Sequence, residues 1–406
     1  MSLASLAITL CLLVGIAIPV LASDAAPATP VGDLPTMTNF VSAGPGNLPA
    51  FGAKVRSGKP VTVAYIGGSI TVGSGCSTYA NCYYWKSRTA IEAAAAGFGS
   101  KVTFVNAGIG GTGSGFGAYR VGLQVLSHHP DLLIIEFAVN DCPKEPAQAV
   151  AAMPGMVDGV EGIVRQALNG NADTAIVLLY TSSISQQGTW YSHGVVSPSV
   201  AAHHRVAKQY GLSEILTGGI IARGLAAGEY TGESFFPDGT HPSDIGHALY
   251  AKALGEAILP SIANPVSFTA VALPVPVGSG VLEHARLDAI VPTGDHTGWT
   301  SSTAQWNWYG VPIWGAAVAN EPIRFTAHGS GIQFLHTGRM QLDWTVSGKP
   351  YQQLLNGDSN MPFPATWWFP KDAMPDGVEV TVRALPNPDG SINGRIWGLN
   401  SLQRAP

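Results

Sequence analysis

The sequence predicts an α/β domain built on a parallel sheet, followed by a separate all-β domain. Three observations carry this prediction. Between residues 55 and 262, short and nearly continuous apolar runs alternate with helical patterns, as strands covered on both faces require. Beyond about residue 280 the chain changes to segments of alternating apolar and polar residues bounded by Gly-rich or polar turns, the mark of an antiparallel sandwich. Eight of the ten tryptophans fall in that second part, whereas the first part carries only two.

Taken in chain order, residues Leu6 to Ala22 are mostly apolar and uncharged. A membrane span needs about 20 such residues, and Gly15 and Pro19 interrupt the run. Residues 1–22 are therefore expected to be a cleaved export signal ending at the small Ala22, although MSLAS lacks the usual positive start. Residues 23–54 read as a Pro/Gly-rich lead-in. Val61 to Ile66 is the first strand, running into Gly67 and Gly68. Tyr84 to Ala96 is Ala-rich and helical, and Gly97-Phe98-Gly99 stops it. Val102 to Val105, Leu132 to Ala138 and Ala175 to Tyr180 are the next strands. Gln148 to Leu168 is helical, and Pro242 to Leu259 closes the unit with a last helix. Residues 263–280 carry Pro265, Pro274 and Pro276 and read as a linker, leaving 281–406 for the β domain.

Composition narrows the function. Of 406 residues only 12% are charged and 46% are hydrophobic, so both domains can bury sizeable cores. The formal net charge is −5 and no Lys/Arg run exists, which argues against a nucleic-acid partner. Export would leave Cys76, Cys82 and Cys142. One bridge and one free thiol is the simplest outcome, with Cys76–Cys82 the short-loop pairing and Cys142 still open as a partner. Three buried thiols are the alternative. No Cys-x-x-Cys pair is present for zinc or redox chemistry.

The chemistry concentrates in three places. Ser69 follows Gly67-Gly68 at the carboxyl end of the first strand, where open α/β sheets build their ligand crevice. Asp238 and His241 lie three residues apart just before the last helix, so the carboxylate can hold one ring nitrogen while the other faces a serine. Asn140, at the end of the third strand, and the glycines of Gly108-Ile-Gly-Gly-Thr-Gly113, after the second, could supply an amide and a bare N–H to a developing oxyanion. The same run matches Gly-x-Gly-x-x-Gly, but it lacks Gly-Lys-[Ser/Thr]. Asp131 also precedes its strand instead of ending it, which weighs against a nucleotide loop.

Together, Gly67-Gly-Ser-Ile-Thr71, Asn106 to Ser114, Ala138-Val-Asn-Asp141 and Asp238-Gly-Thr-His241 resemble the four blocks of the SGNH hydrolases, also called GDSL-type esterases. The first block departs from Gly-Asp-Ser-Leu in lacking the Asp, and so looks like a subgroup often found in exported proteins acting on glycans. The resemblance implies a three-layer, flavodoxin-like parallel sheet. It makes Ser69 the nucleophile, His241 the general base and Asp238 its orienting carboxylate. The oxyanion donors would be the N–H groups of Ser69 and Gly111, the latter by counting five positions from Asn106, and the side chain of Asn140. No metal or organic cofactor is implied.

Other residues read more plainly. His128 and His129 sit at a turn and are expected to be solvated. His203 and His204 are expected on a helix surface, and His247 faces away from His241. His193 and Trp190 are candidates for a substrate wall, and Arg120 for a polar contact or a salt bridge near the glycine block. Trp306, Trp308, Trp314, Trp367 and Trp368 are candidates for stacking on sugars, whereas Trp344 alternates as a core residue.

The expectation is a secreted or periplasmic serine esterase that removes small acyl groups, foremost acetyl, from a polysaccharide or oligosaccharide, with no stable membrane insertion after signal cleavage. A base that acts as neutral imidazole implies turnover that falls below roughly pH 6–7. The alternatives are a glycan O-acetyltransferase using the same acyl-enzyme and a non-catalytic glycan-binding protein. A lipid esterase is disfavoured because no apolar, lid-like helix lies near the motifs.

Overall fold

The computed structural model describes residues 34–266, 273–302, 312–356, 365–368 and 377–402. The expected export signal lies outside them. No helix among the described residues is long and apolar enough to cross a membrane.

The first part runs α1 (Leu48–Arg56), β1 (Val61–Gly67), α2 (Ser69–Val72), α3 (Tyr83–Ala96), β2 (Val102–Gly108), α4 (Ser114–Gln124) and β3 (Leu132–Glu136). It continues through α5 (Pro146–Ala151), α6 (Met153–Gly170), β4 (Ala175–Tyr180), α7 (Ile184–Thr189), α8 (Pro198–Tyr210), β5 (Ser213–Leu216), α9 (Thr217–Ala227), α10 (Gly232–Phe235) and α11 (Asp244–Ala263). The five strands form one parallel sheet in the order β2-β1-β3-β4-β5.

Successive strand residues point to opposite faces, and both faces are buried. Ala64, Ile66, Leu133, Ile135, Ile176 and Leu178 meet α4, α6 and α8 through residues such as Val121, Val160 and Val200. Val61, Val63, Tyr65, Leu132, Ile134 and Val177 meet α1, α3 and α11 through Phe51, Ile91 and Leu254. Two covered faces explain why these strands read as unbroken apolar runs.

Three features depart from the sequence reading. The lead-in contains α1, whose Phe51 and Val55 are buried in the second of these cores. The helix expected over 148–168 is two helices, α5 and α6, meeting at Ala152. The edge strand β5 carries too few apolar residues to stand out. Its Glu214 is buried because its carboxylate takes the Tyr180 hydroxyl at 2.7 Å, His204 Nδ1 at 2.9 Å and the Ala43 N–H at 2.9 Å.

The second part contains β6 (Ala285–Asp288), β7 (Trp299–Ser302), β8 (Ile313–Ala316), β9 (Pro322–Ala327) and β10 (Ser330–Thr337). Then come β11 (Arg339–Val346), β12 (Lys349–Asn356), β13 (Ala365–Trp368), β14 (Val378–Ala384) and β15 (Arg395–Leu402). A six-stranded sheet has the order β13-β10-β15-β8-β7, with β6 also paired to β15, and a four-stranded sheet has the order β12-β11-β14-β9. Their strand pairs are antiparallel. Alternate residues of both sheets interdigitate, among them Phe325, Leu342, Trp344 and Val380 against Phe334 and Ile396.

The segment entering this domain is clamped to α6. Glu161 accepts the Val277 and Gly278 N–H groups, each at 2.7 Å, and Arg165 donates to Glu283 at 2.8 Å. Gly162 is required there, because a Cβ would fall 2.7 Å from Leu282 Cβ.

Of the tryptophans proposed for sugar stacking, Trp306 and Trp308 lie outside the described residues. Trp367 and Trp368 are placed in β13. Trp314 is half-buried and donates its indole N–H to Ile290 O at 3.1 Å.

Candidate active site

Ser69 opens the four-residue helix α2 directly at the end of β1, and Gly73 ends that helix in the left-handed region at φ +109°. The turn is tight enough to dictate its sequence. A Cβ on Gly67 would lie 2.1 Å from Thr71 Oγ1, and one on Gly68 would lie 2.0 Å from Asn140 Oδ1. Position 68 has no room for a side chain, because Asn140 occupies that space.

The loop after α10 brings His241 to Ser69. Asp238 Oδ1 accepts the Thr240 N–H at 2.9 Å and the His241 N–H at 2.7 Å, while its Oδ2 lies 2.6 Å from His241 Nδ1. Burial pushes the Asp238 carboxyl up, but the hydrogen bonds from His241 and Thr240 outweigh it and hold the group below the usual carboxylate range. An ionised Asp238 can only accept, so His241 Nδ1 carries the proton. Nε2 is left to accept from Ser69 Oγ at 2.7 Å. Sequence reasoning had placed these three side chains together, and the fold brings them together in that geometry.

The glycine loop is fixed at both ends. Asn106 donates to Thr71 O at 2.9 Å and accepts the Gly108 N–H at 2.9 Å, and Gly108 sits where a Cβ would be 2.7 Å from Val72 N. At the far end, Asp141 Oδ1 accepts the Ser114 N–H at 2.7 Å, and a Cβ on Gly113 would meet that same oxygen at 2.4 Å. Gly111 lies between these anchors with φ +70°, a conformation that favours glycine. The loop thus bridges the end of the Ser69 helix and the Asn140-Asp141 pair.

Several supporting residues escaped the sequence reading. His203 is buried, not on the surface as expected, and its Nε2 lies 2.8 Å from Asp141 Oδ2. His204 is likewise drawn inward, by Glu214. Helical periodicity alone could not reveal either, because their partners are 62 and 10 residues away. Trp190 is packed in the core instead of lining an open wall, while His193 beside it is exposed. Arg120 is fully buried and donates to Gly67 O at 3.0 Å and Gln124 Oε1 at 2.8 Å, joining the ends of β1 and β2 from beneath.

The His247 ring is engaged by partners other than Ser69 and His241. It accepts the Tyr83 N–H at 3.1 Å and holds Ser74 O at 3.1 Å, and burial pushes its imidazole below the ordinary range. His128 and His129 are exposed. Cys76 and Cys82 are bridged, and Cys142 is a free thiol that burial pushes up. The bridged loop covers His241, for a Cβ on Gly75 would lie 3.0 Å from the His241 Cβ.

Glu136 did carry a signal, as the one charged residue inside the third apolar run. It is completely buried and accepts the Thr181 hydroxyl at 2.6 Å and the Thr71 hydroxyl at 2.9 Å. Burial pushes its carboxyl up to about 7, with the two threonine hydroxyls opposing. From its ordinary value near 4.5 up to about 7, the folded protein keeps a proton that the unfolded chain has lost. Stability contributed by the protonated group is therefore lost as pH rises through that window, and levels off above it. Glu136→Gln removes this titration. The stability of the variant relative to wild type is expected to increase between pH 5 and pH 8, as read from urea melts; a constant difference would contradict the buried-acid assignment.

Residues 65–249 match the GDSL-like Lipase/Acylhydrolase family. This segment belongs to that family. The matched range of the acylhydrolase domain contains Ser69, Gly111, Asn140, Asp238 and His241. No curated protein matches the chain. Among solved structures, two of a two-domain esterase (CEX) active on acetylated mannans are 21% identical. They cover 90% of this chain and 97% and 98% of their own, with TM-scores of 0.69 and 0.71. The former is co-crystallised with mannopentaose. Axe2, an acetylxylan esterase from Geobacillus stearothermophilus, is 18% identical over 50% of this chain and 96% of its own, with a TM-score of 0.37. The two-domain likeness shows that the acylhydrolase domain and its β sandwich form a shared fold.

Proposed function

We propose that the protein is an exported serine esterase that removes acetyl groups from a polysaccharide or oligosaccharide. The observation that carries this reading is the line of hydrogen bonds from Ser69 through His241 to Asp238 at the carboxyl end of a parallel strand. Ser69 Oγ attacks the ester carbonyl while His241 Nε2 takes its proton. Asp238 keeps the ring oriented and stabilises the imidazolium. The tetrahedral oxyanion rests on the N–H groups of Ser69 and Gly111 and on the Asn140 side chain. Collapse expels the sugar hydroxyl, protonated by His241. Water then attacks the acetyl-enzyme with His241 as base, and acetate leaves.

The family supports acyl chemistry, and the two-domain esterase active on acetylated mannans supports an acetylated glycan as the substrate class. The low charge of the chain and its lack of a basic run agree with a neutral substrate. The test is release of p-nitrophenol from acetate and octanoate esters, alongside release of acetate from acetylated mannan and acetylated xylan. The expected result is turnover of p-nitrophenyl acetate well above octanoate and acetate release from at least one of the polysaccharides. A preference for octanoate with no release from either glycan would overturn the reading.

A further inference from the structure

The strands β10 and β15 of the six-stranded sheet are buried on both faces. One face closes the sandwich, with Phe334 and Ile396 pointing inward. The next residues along the same strands, Leu335 and Trp397, point the other way and join Leu287 and Ile313 in a separate apolar cluster. Its remaining buried member is Ile109, which belongs to the acylhydrolase domain and lies in the glycine loop that also carries Gly111. Phe116 of α4 packs against the same cluster, and β6 packs on α4. Ile109 is only 1% exposed, as is Trp397.

The rest of Ile109 is engaged inside the catalytic site. Its N–H donates to Gly67 O at 3.0 Å, two residues before Ser69, and its carbonyl accepts the Thr112 hydroxyl at 2.7 Å. Four of the six residues from 108 to 113 are glycines, so between the ends held by Asn106 and Asp141 the loop has few side chains to restrict it, and the backbone entropy of ordering it is large. Ile109 supplies the one large apolar side chain of that stretch, and the second domain buries it.

We propose that the β sandwich holds the oxyanion loop in place, with Ile109 as the positioning residue that transmits the support. The catalytic consequence rests on the reading of Gly111 as an oxyanion donor. It requires the sandwich for hydrolysis of even a small ester that never reaches a sugar-binding surface. Displacement of a donor by about 1 Å can cost on the order of 10²-fold in rate, so a loop that loses its anchor loses kcat before it loses substrate binding.

The experiment uses the full chain with Ile109→Ala, Leu335→Ala and the conservative Ile109→Val. Amide hydrogen exchange is read across residues 108–113, with α3, α11 and β11 as internal controls. Exchange in the loop is expected to speed up about tenfold or more in both alanine variants, with the controls unchanged and Ile109→Val close to wild type. Unchanged exchange in the loop overturns the proposal, whether or not the protein turns over any ester. In parallel, kcat and KM for p-nitrophenyl acetate are measured per titrated Ser69. A tenfold or greater fall in kcat with KM held, recovered in Ile109→Val, supports the catalytic consequence. Faster exchange with kcat unchanged overturns that consequence alone. Absence of Ser69-dependent turnover in the wild type overturns the proposed function instead, and exchange still decides whether the sandwich supports the loop.

Discussion

Ser69→Ala is expected to lower kcat on p-nitrophenyl acetate by on the order of 10⁶-fold, the cost of deleting a nucleophile that acts as one unit with its base. His241→Ala should cost about as much, and the double variant little more, because neither group works without the other. The reason lies in the geometry. Ser69 Oγ lies 2.7 Å from His241 Nε2, which takes its proton in the proposed mechanism. Folding should be undisturbed, since Ser69 stands at the first position of a short helix and its hydroxyl bonds outward to His241. Steady-state kinetics with a melting curve for each variant checks both points. A Ser69→Ala protein with more than a few per cent of wild-type turnover would exclude the mechanism.

Asn140→Ala is expected to reduce kcat by about 10²–10³-fold with KM nearly unchanged, corresponding to about 3–4 kcal/mol of transition-state stabilisation. Asn140 lies against Gly68, immediately before the proposed nucleophile Ser69, in a space that a Cβ at position 68 would fill. The amide donor matters most once charge develops on the carbonyl oxygen, so its loss appears in the chemical step and not in binding. Asn140→Asp keeps the size of the side chain and removes the N–H donors, so it should lose at least as much. Equal kcat in wild type and Asn140→Asp would remove this side chain from the oxyanion site. A rise in KM alone would reassign it to substrate binding.

The strands β1, β3 and β4 were legible because burial on both faces leaves an unbroken apolar signature that no neighbour needs to supply. The short strand β5 was not, because its membership depends on pairing with β4 and on partners for Glu214 at Ala43, Tyr180 and His204. Likewise Asp141 appeared in the motif without a role. Its role as an anchor for the glycine loop depends on the Ser114 N–H, 27 residues away. The inward turn of His203 toward Asp141 is invisible from the spacing along α8. A histidine on a helix is exposed or buried according to what lies opposite it.

The sequence by itself determined the two-part architecture, and it marked the strand ends and Ser69, Asn140, Asp238 and His241 as the candidate groups. Each follows from local rules: apolar runs mark the strands, glycines permit the tight turn, and an Asp three residues before a His can close on it. The tertiary structure decided everything that needed distant segments to meet. It filled the space beside Gly68 with Asn140, buried Glu136 under the nucleophile turn, and seated Ile109 in the second domain. These contacts join residues separated by tens to hundreds of positions. Their physical cause is the exclusion of water from surfaces that only packing creates, which a pattern read along one chain does not contain.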